Sequence, residues 1–500
     1  MKIGLFRFIG LLFVFPTMIH ADRGHCDRDC DQKLDALSKT LFRVGNTASL
    51  VETSLNQYQT DCCESCADIL RNRATQQCFC TTTTIYGPTM LTESGAYCLA
   101  NDITGNISTV GVQVSIDLKG HVVDGNVGVD EHGYVYNGTI TGSLVLPSYS
   151  RAEQVTVGGT LQGAGGQNVL IRDSVLTNTN TVVINNFESL VLDRCSLVVD
   201  GEVYPSTFNV QNTANLTLRD CYALGDMWVD FGSPVLESFA FYDSRITGEL
   251  YLYVNNLLQN VTALDSSINR LYVDFIDAGG TPSLFLHGIT GSSAFFVGLS
   301  GQPHQGTRIF VDECALGRLN FQRVSNVHCQ NTTVQAFDDG AVYNQFASLD
   351  ISSCQSSLFL GIDAFNPLTT GERLAVKVFD SKNVLFKKCY ASSPNYRAFD
   401  VAVAADAVGT STSINFSECV AKDSFYGFYV SGEYTTGYTK NCIADGCTGG
   451  FVPNVSSVPT VFSGNVSCFN TINYAVGAGM PPYYDAAYTV TAGSWRNISL

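Results

Sequence analysis

The sequence predicts an all-β protein built as a parallel β-solenoid, preceded by a short α-helical segment. Three observations carry this. A short phrase returns along the chain: SLVLDRCSLV at 189–198, NLTLRDCYAL at 215–224, RIFVDECAL from 308, SLDISSCQS from 348, NVLFKKCYA from 383 and SINFSECVA from 413. Its copies fall at a near-regular step, with frames at 169, 190, 216 and 239 separated by 21, 26 and 23 residues. Between the copies, stretches such as ELYLYVNNLLQNVTALD and TVVINNFESL read as strands with Asn turns and carry no helical rhythm. Self-similarity at this period is the mark of a solenoid.

Composition agrees. Hydrophobic residues make up 45% and charged residues 15% of the 500, enough apolar surface to bury a large core. Gly 45, Tyr 23 and Phe 30 lean towards strand and turn. A formal net charge of −17 argues against nucleic acid as a partner, since phosphate binding needs a basic face.

The elements follow in chain order. Residues 1–21, MKIGLFRFIGLLFVFPTMIHA, have a basic start (Lys2, Arg7), an apolar run, and Ile19 and Ala21 placed for cleavage after Ala21. They predict a signal peptide. An uncleaved anchor is the alternative, but the run is short and Pro16 interrupts it. Cleavage removes two positive charges, −17 − 2 = −19, and predicts a secreted, cell-surface or virion-surface protein. No later stretch of sequence is long and apolar enough for a helix to cross a membrane.

Residues 22–62 form the helical segment. Leu34, Leu37, Leu41, Val44, Ala48, Val51, Leu55 and Tyr58 are spaced alternately three and four apart, a heptad seam. The seam over 30–62 predicts self-association as a trimer or dimer. A single amphipathic helix packed on the body is the alternative. A cysteine-rich linker over 63–89 follows. Cys26, Cys30, Cys62, Cys63, Cys66, Cys78, Cys80 and Cys98 crowd the first hundred residues. In an exported chain the cluster from Cys62 to Cys80 predicts disulfides, since the spacing of Cys63, Cys66, Cys78 and Cys80 matches no familiar zinc pattern.

The solenoid is expected over 90–475, with a cap or tail at 476–500. Aligned by apolar positions, the copies give Leu216, Leu218, Cys221 and Ala223; Leu190, Leu192, Cys195 and Leu197; Val169, Ile171, Ser174 and Leu176; and Leu349, Ile351 and Cys354. Two residues apart is the strand period. The parity then slips by one, so both halves face one interior only if the chain turns a corner between them. The slipped residues are polar (Asp193-Arg194, Arg219-Asp220, Lys387-Lys388). The Cys or Ser is the first inward residue after the bend, where a small side chain fits. Cys195, Cys221 and Cys314 are accordingly expected to be free and buried. Leucine-rich repeats share the central phrase, but their preceding leucine is here Gly166, Thr213, Gly306, Ser381 or Ser411.

Residues 95–125, GAYCLANDITGNISTVGVQVSIDLKGHVVDG, carry Gly95, Tyr97, Leu99, Asp102, Ile103, Val114, Ile116, Asp117, Leu118, Gly120, His121, Val123 and Gly125. This stretch resembles the opening coils of right-handed parallel β-helix proteins of the pectin-lyase-like superfamily. The likeness runs with decreasing clarity from about 90 to 475. It implies a right-handed β-helix, and implies little about activity, because the superfamily spans lyases, polygalacturonases, tailspikes and adhesins.

No catalytic constellation assembles from the sequence. Asp338 and Asp339 in FDDG resemble the paired acids of polygalacturonases, but no G-H-G or R-I-K element follows, and they read as turn acids. His121 reads as structural, and His287, His304 and His328 have no evident partner. No acidic cluster has Ca²⁺ spacing, and no cofactor or metal is expected. N-x-S/T sequons stand at Asn106, Asn137, Asn215, Asn260, Asn331, Asn415, Asn454, Asn465 and Asn497.

Binding or adhesion to a glycan or host-surface ligand is therefore the expected function. A polysaccharide lyase, hydrolase or epimerase, and a structural fibre or coat element, are the alternatives. From 349 to 384 is 35 residues and from 384 to 414 is 30, so surplus chain is expected to leave the stack as loops. Loops on a rigid scaffold carry recognition. Phe365, Tyr396 and Arg397 are the candidate ligand-binding residues there.

Overall fold

The computed structural model describes residues 82–178, 181–199, 207–229, 237–254, 260–275, 282–298, 307–336, 345–368, 372–402, 412–431, 435–454, 460–474 and 498–499. The expected signal peptide, the heptad seam, Cys62 to Cys80, Asp338, Asp339, His304 and nearly all of the tail lie outside these residues.

The described chain is an all-β, right-handed parallel solenoid with every strand pair parallel. It begins at Thr82–Ile85, which pairs with Gly95–Leu99. Each coil contributes to three stacked ladders. In the first ladder, Val169, Leu190, Leu216, Phe239, Val261, Leu284, Ile309 and Val327 are successive register partners. The second follows the bend, through Leu176, Leu197, Ala223 and Ile246. The third closes the coil, through Ile184, Val210, Val229, Leu252, Val273 and Phe296. All these side chains are buried in one continuous core.

The expected corner is made by one residue in the left-handed region. Asp173, Arg194, Asp220, Asp243, Asp265, Glu313, Asn331, Lys388, Glu418 and Asn441 have φ between 46° and 57°. An L residue pays about 1–2 kcal/mol for this conformation, which the stacked ladders on both sides offset. The residue that follows is buried each time: Ser174, Cys195, Cys221, Ser244, Ser266, Cys314, Thr332, Cys389, Cys419 and Cys442, and Asn465 follows Gly464, at φ 63°, in the same way.

This column does more than pack. The Cys221 thiol donates to the Arg219 carbonyl at 3.2 Å, and the Ser244 hydroxyl to the Tyr242 carbonyl at 2.6 Å. Side chains of this column also accept from the coil before, as Cys442 Sγ does from the Cys419 N–H at 3.4 Å. The Cys221 N–H reaches Ser244 Oγ at 2.8 Å, the Ser244 N–H reaches Ser266 Oγ at 3.1 Å, and the Cys442 N–H reaches Asn465 Oδ1 at 2.8 Å. A bend breaks the ladder and strands a backbone N–H, so a small donor-acceptor side chain is needed there. Cysteine and serine both satisfy it.

Cys195, Cys221 and Cys314 are free and buried, as expected. Burial pushes the Cys314 thiol up to about 11 and the Cys354 thiol up to about 12. Native protein treated with iodoacetamide near pH 8 is therefore expected to leave both unmodified, with rapid labelling after unfolding. Labelling at the native rate of a free thiol would contradict this placement.

One expectation is corrected. The copy at 349 does not lie on the first ladder. Leu349 pairs with Leu319 and Val376, on the third. The first-ladder strand of that coil is Gln355–Leu360, where Leu358 pairs with His328 and Leu385. The physical reason is that the same corner chemistry serves a second bend. Ser353 has φ 55°, Cys354 follows it buried, and the Cys354 N–H reaches Ser381 Oγ at 3.0 Å. The first-ladder steps are thus 30 residues from Cys329 to Phe359, 27 from Phe359 to Phe386 and 30 from Phe386 to Phe416. Surplus chain is spread over three coils.

Candidate functional site

Strand alternation that buries Val229, Leu252, Val273 and Phe296 turns the residue before each of them outward. On the third ladder these outward residues are Trp228, Tyr251, Tyr272 and Phe295, each in register with the next. Stacked strands lie about 4.8 Å apart, so the rings form a continuous stripe up the sheet face. Ring centroids are 4.8 Å apart from Trp228 to Tyr251, 5.6 Å from Tyr251 to Tyr272 and 6.1 Å from Tyr272 to Phe295. Interplanar angles of 36–44° shingle the rings, and all four are half-buried. A shorter outward pair, Phe285 and Phe310, stacks at 5.2 Å on the first ladder.

Charged groups border the stripe. Glu249 accepts from the Tyr251 hydroxyl and from Arg270 Nη1 at 2.7 Å. Asp226 accepts the Glu249 N–H at 2.8 Å. Burial holds the Asp226 carboxyl above its ordinary range, and the neighbouring Glu249 charge adds to this. Asp274, in register between Tyr253 and Val297, is likewise raised by burial while Arg323 pulls it back. Further along the outward column, the aromatics give way to Asn320, Asp350, Lys377, Asp400 and Tyr429. Lys377 pairs with Asp350 at 3.4 Å.

The residues expected from the sequence lie elsewhere. Phe365 ends the second-ladder strand Asp363–Phe365, half-buried between Gln335 and Ser392. Tyr396 and Arg397 enter the third ladder. The Arg397 guanidinium lies 3.7 Å over the Tyr429 ring and 4.5 Å over the Tyr396 ring, and Nη1 donates to Asp400 at 2.9 Å. It is committed to its neighbours on three sides. His121 Nδ1 lies 3.2 Å from Asp102 Oδ1, which also accepts the Val122 N–H, a structural turn. His287 lies 3.3 Å from Asp312. Among the described residues no group of three or more His, Cys, Asp or Glu could hold a metal ion.

The stripe was missed, though its signal is in the sequence. MWV, LYLYV, LYVDF and AFFVG each place an aromatic beside an inward residue, at steps of 23, 21 and 23. Of the sequon asparagines, Asn465 is fully buried and bonded to Cys442 and Thr439, so no glycan fits there in the folded chain. No family model, curated protein or solved structure matches the chain.

Proposed function

We propose that the chain is an exported β-helix of the pectin-lyase-like kind whose function is glycan binding, with the stripe Trp228–Tyr251–Tyr272–Phe295 as its platform. The carrying observation is the in-register run of four outward aromatics on one sheet face. Sugar rings have apolar faces and polar edges. Aromatic rings meet the first, and fixed carboxylates such as Glu249 accept hydrogen bonds from the second. A stack with a constant rise suits a polymer with a constant repeat. A structural fibre needs no such face.

Trp228→Ala is expected to weaken binding on a glycan array by about 2 kcal/mol, roughly 30-fold, with the β-sheet circular dichroism unchanged. Unchanged affinity for every glycan that the intact protein retains would end this proposal.

Cleavage of the same polymer is a second reading, supported by one observation. Burial raises the proton affinity of Asp226, and it lies beside Glu249, which is paired with Arg270 at 2.7 Å. Glycosidases divide acid and carboxylate roles in this way. Release of new reducing ends, lost in Asp226→Asn, would favour it over binding alone.

A further inference from the structure

We propose that Asn260, Asn331 and Asn415 carry N-linked glycans, and that these cover a second outward apolar run, on the first ladder. The aromatic stripe of the third ladder stays bare. This rests on the reading of the chain as exported and does not depend on what the stripe binds.

The run is one outward column of the first ladder. Phe285, Phe310, His328, Leu358 and Leu385 are successive register partners, and all are half-buried. Ring centroids are 5.2 Å apart from Phe285 to Phe310 and 5.0 Å from Phe310 to His328. Sequons bound this column at both ends. The register partner before Phe285 is Thr262, the hydroxyl residue of the Asn260 sequon. The partner after Leu385 is Asn415 itself. Asn331 stands at the corner that follows Val327–Gln330, on the coil of His328. That coil is midway, three pairings from Thr262 and three from Asn415. Three strand spacings are about 14 Å. By contrast, the stripe's own strands, Asp226–Val229, Arg245–Val254, Ser267–Phe275 and Ser293–Gly298, contain no sequon.

The local geometry suits the modification. Asparagine and hydroxyl lie two residues apart in a sequon, which is the strand period, so on a strand both face outward. Val261 and Phe416, the residues between, are buried, whereas Asn260, Thr262, Asn415 and Ser417 are half-buried. Asn331 is exposed. Asn331 Nδ2 donates to Asp312 Oδ1 and Asn415 Nδ2 to Ser413 Oγ, each at 3.1 Å. An amide nitrogen has two hydrogens, so one remains to be replaced. In that step Nδ2 bonds to the anomeric carbon of an oligosaccharide carried on a lipid pyrophosphate. The carbon–oxygen bond to the pyrophosphate breaks, the lipid pyrophosphate leaves with the electron pair, and the Nδ2 proton passes to base. An apolar run left bare is an association surface, and bulky polar glycans on both sides of it prevent that.

The complete chain is produced in cultured insect cells. Residues 22–500 are produced in parallel behind a cleavable signal peptide of known function. Glycopeptide mass spectrometry of the secreted protein should find Asn260, Asn331 and Asn415 occupied and the buried Asn465 unmodified. Removal of the glycans from the folded protein with peptide N-glycosidase should raise hydrophobic-dye binding several-fold with the circular dichroism unchanged. In a Phe310→Ser, Leu358→Ser double variant that rise should be lost. Secreted, folded protein without glycan at these three asparagines, or dye binding unmoved by glycan removal, would overturn the proposal. Secretion only behind the substituted signal peptide would overturn the export reading, and the glycan sites would then be decided on that form. Secretion of neither form would count against both.

Discussion

Replacing Phe386 with alanine is expected to cost about 3–5 kcal/mol in denaturant unfolding, a large part of the stability of an ordinary domain. Phe386 is fully buried. Its ring lies 4.9 Å from Phe359 and 5.0 Å from Phe416, with interplanar angles of 17° and 12°, and meets Phe399 edge-on at 6.2 Å. Phe399 itself stacks on Phe428 at 4.8 Å, and Phe428 on Phe451 at 5.0 Å. Removing the middle ring leaves a cavity that neighbours in register on both sides cannot close, because each is held by its own ladder pairs. Coils in a solenoid touch only their neighbours, so the loss should be local. Amide exchange should accelerate in Gln355–Leu360, Lys382–Lys387 and Thr412–Ser417 and much less in Val169–Arg172. Leu385, the adjacent outward residue, is the control, and Leu385→Ala should cost under about 1 kcal/mol. A loss below that value for Phe386→Ala, or exchange raised equally throughout, would contradict the stacked-core account.

The fold was legible because stacking imposes one demand on every coil. Two inward residues at the strand period, a polar corner and a small inward residue recur wherever the chain bends, and they were visible at Leu190, Leu192 and Cys195 without coordinates. The same demand explains the error at 349. The solenoid bends at three corners, and each uses one solution: Arg194 then Cys195, Ser353 then Cys354, and Asp423 then Ser424, with a left-handed residue first and a buried donor-acceptor second. A local phrase identifies a corner but not which corner; only pairing with the neighbouring coil does. The hydrogen-bonding role of the cysteine column was hidden for the same reason, since its acceptor function is exercised on the preceding coil.

The candidate site was less legible. Alternation separates inward from outward residues, but whether Trp228 and Tyr251 lie side by side depends on register across a step of 23 residues, and the steps differ in length from coil to coil. In the sequence Arg397 stands out as a cation beside aromatic residues on surplus chain. What sequence could not give is that Tyr396, Tyr429 and Asp400 are themselves its partners, Asp400 from the same strand and Tyr429 brought there by strand pairing.

Asn465→Asp is the second large effect expected, and its size depends on pH. Asn465 is fully buried at the last corner of the column. Its Oδ1 accepts the Cys442 N–H at 2.8 Å, and its Nδ2 donates to the Thr439 carbonyl at 2.8 Å. Aspartate keeps the shape and the acceptor. When ionised it loses the donor, sets a carboxylate oxygen against the Thr439 carbonyl, and buries a charge without a partner. At pH 7 the variant should be less stable than the parent by about 3–5 kcal/mol. Burial and the facing carbonyl both raise the folded-state proton affinity above the unfolded value of about 3.9. The unfolded state therefore releases its proton first as pH rises, so the penalty is absent below about pH 4 and grows until the folded carboxyl also ionises. Protonated aspartic acid can donate to Thr439 and restore the lost bond. The stability difference between variant and parent, measured by urea unfolding at matched pH, should thus shrink towards zero on acidification. Asn465→Ala, which leaves both backbone groups unsatisfied, should stay destabilised by about 2–3 kcal/mol at every pH. A difference for the aspartate variant that is flat with pH would show that Asn465 is not the buried donor-acceptor at this corner.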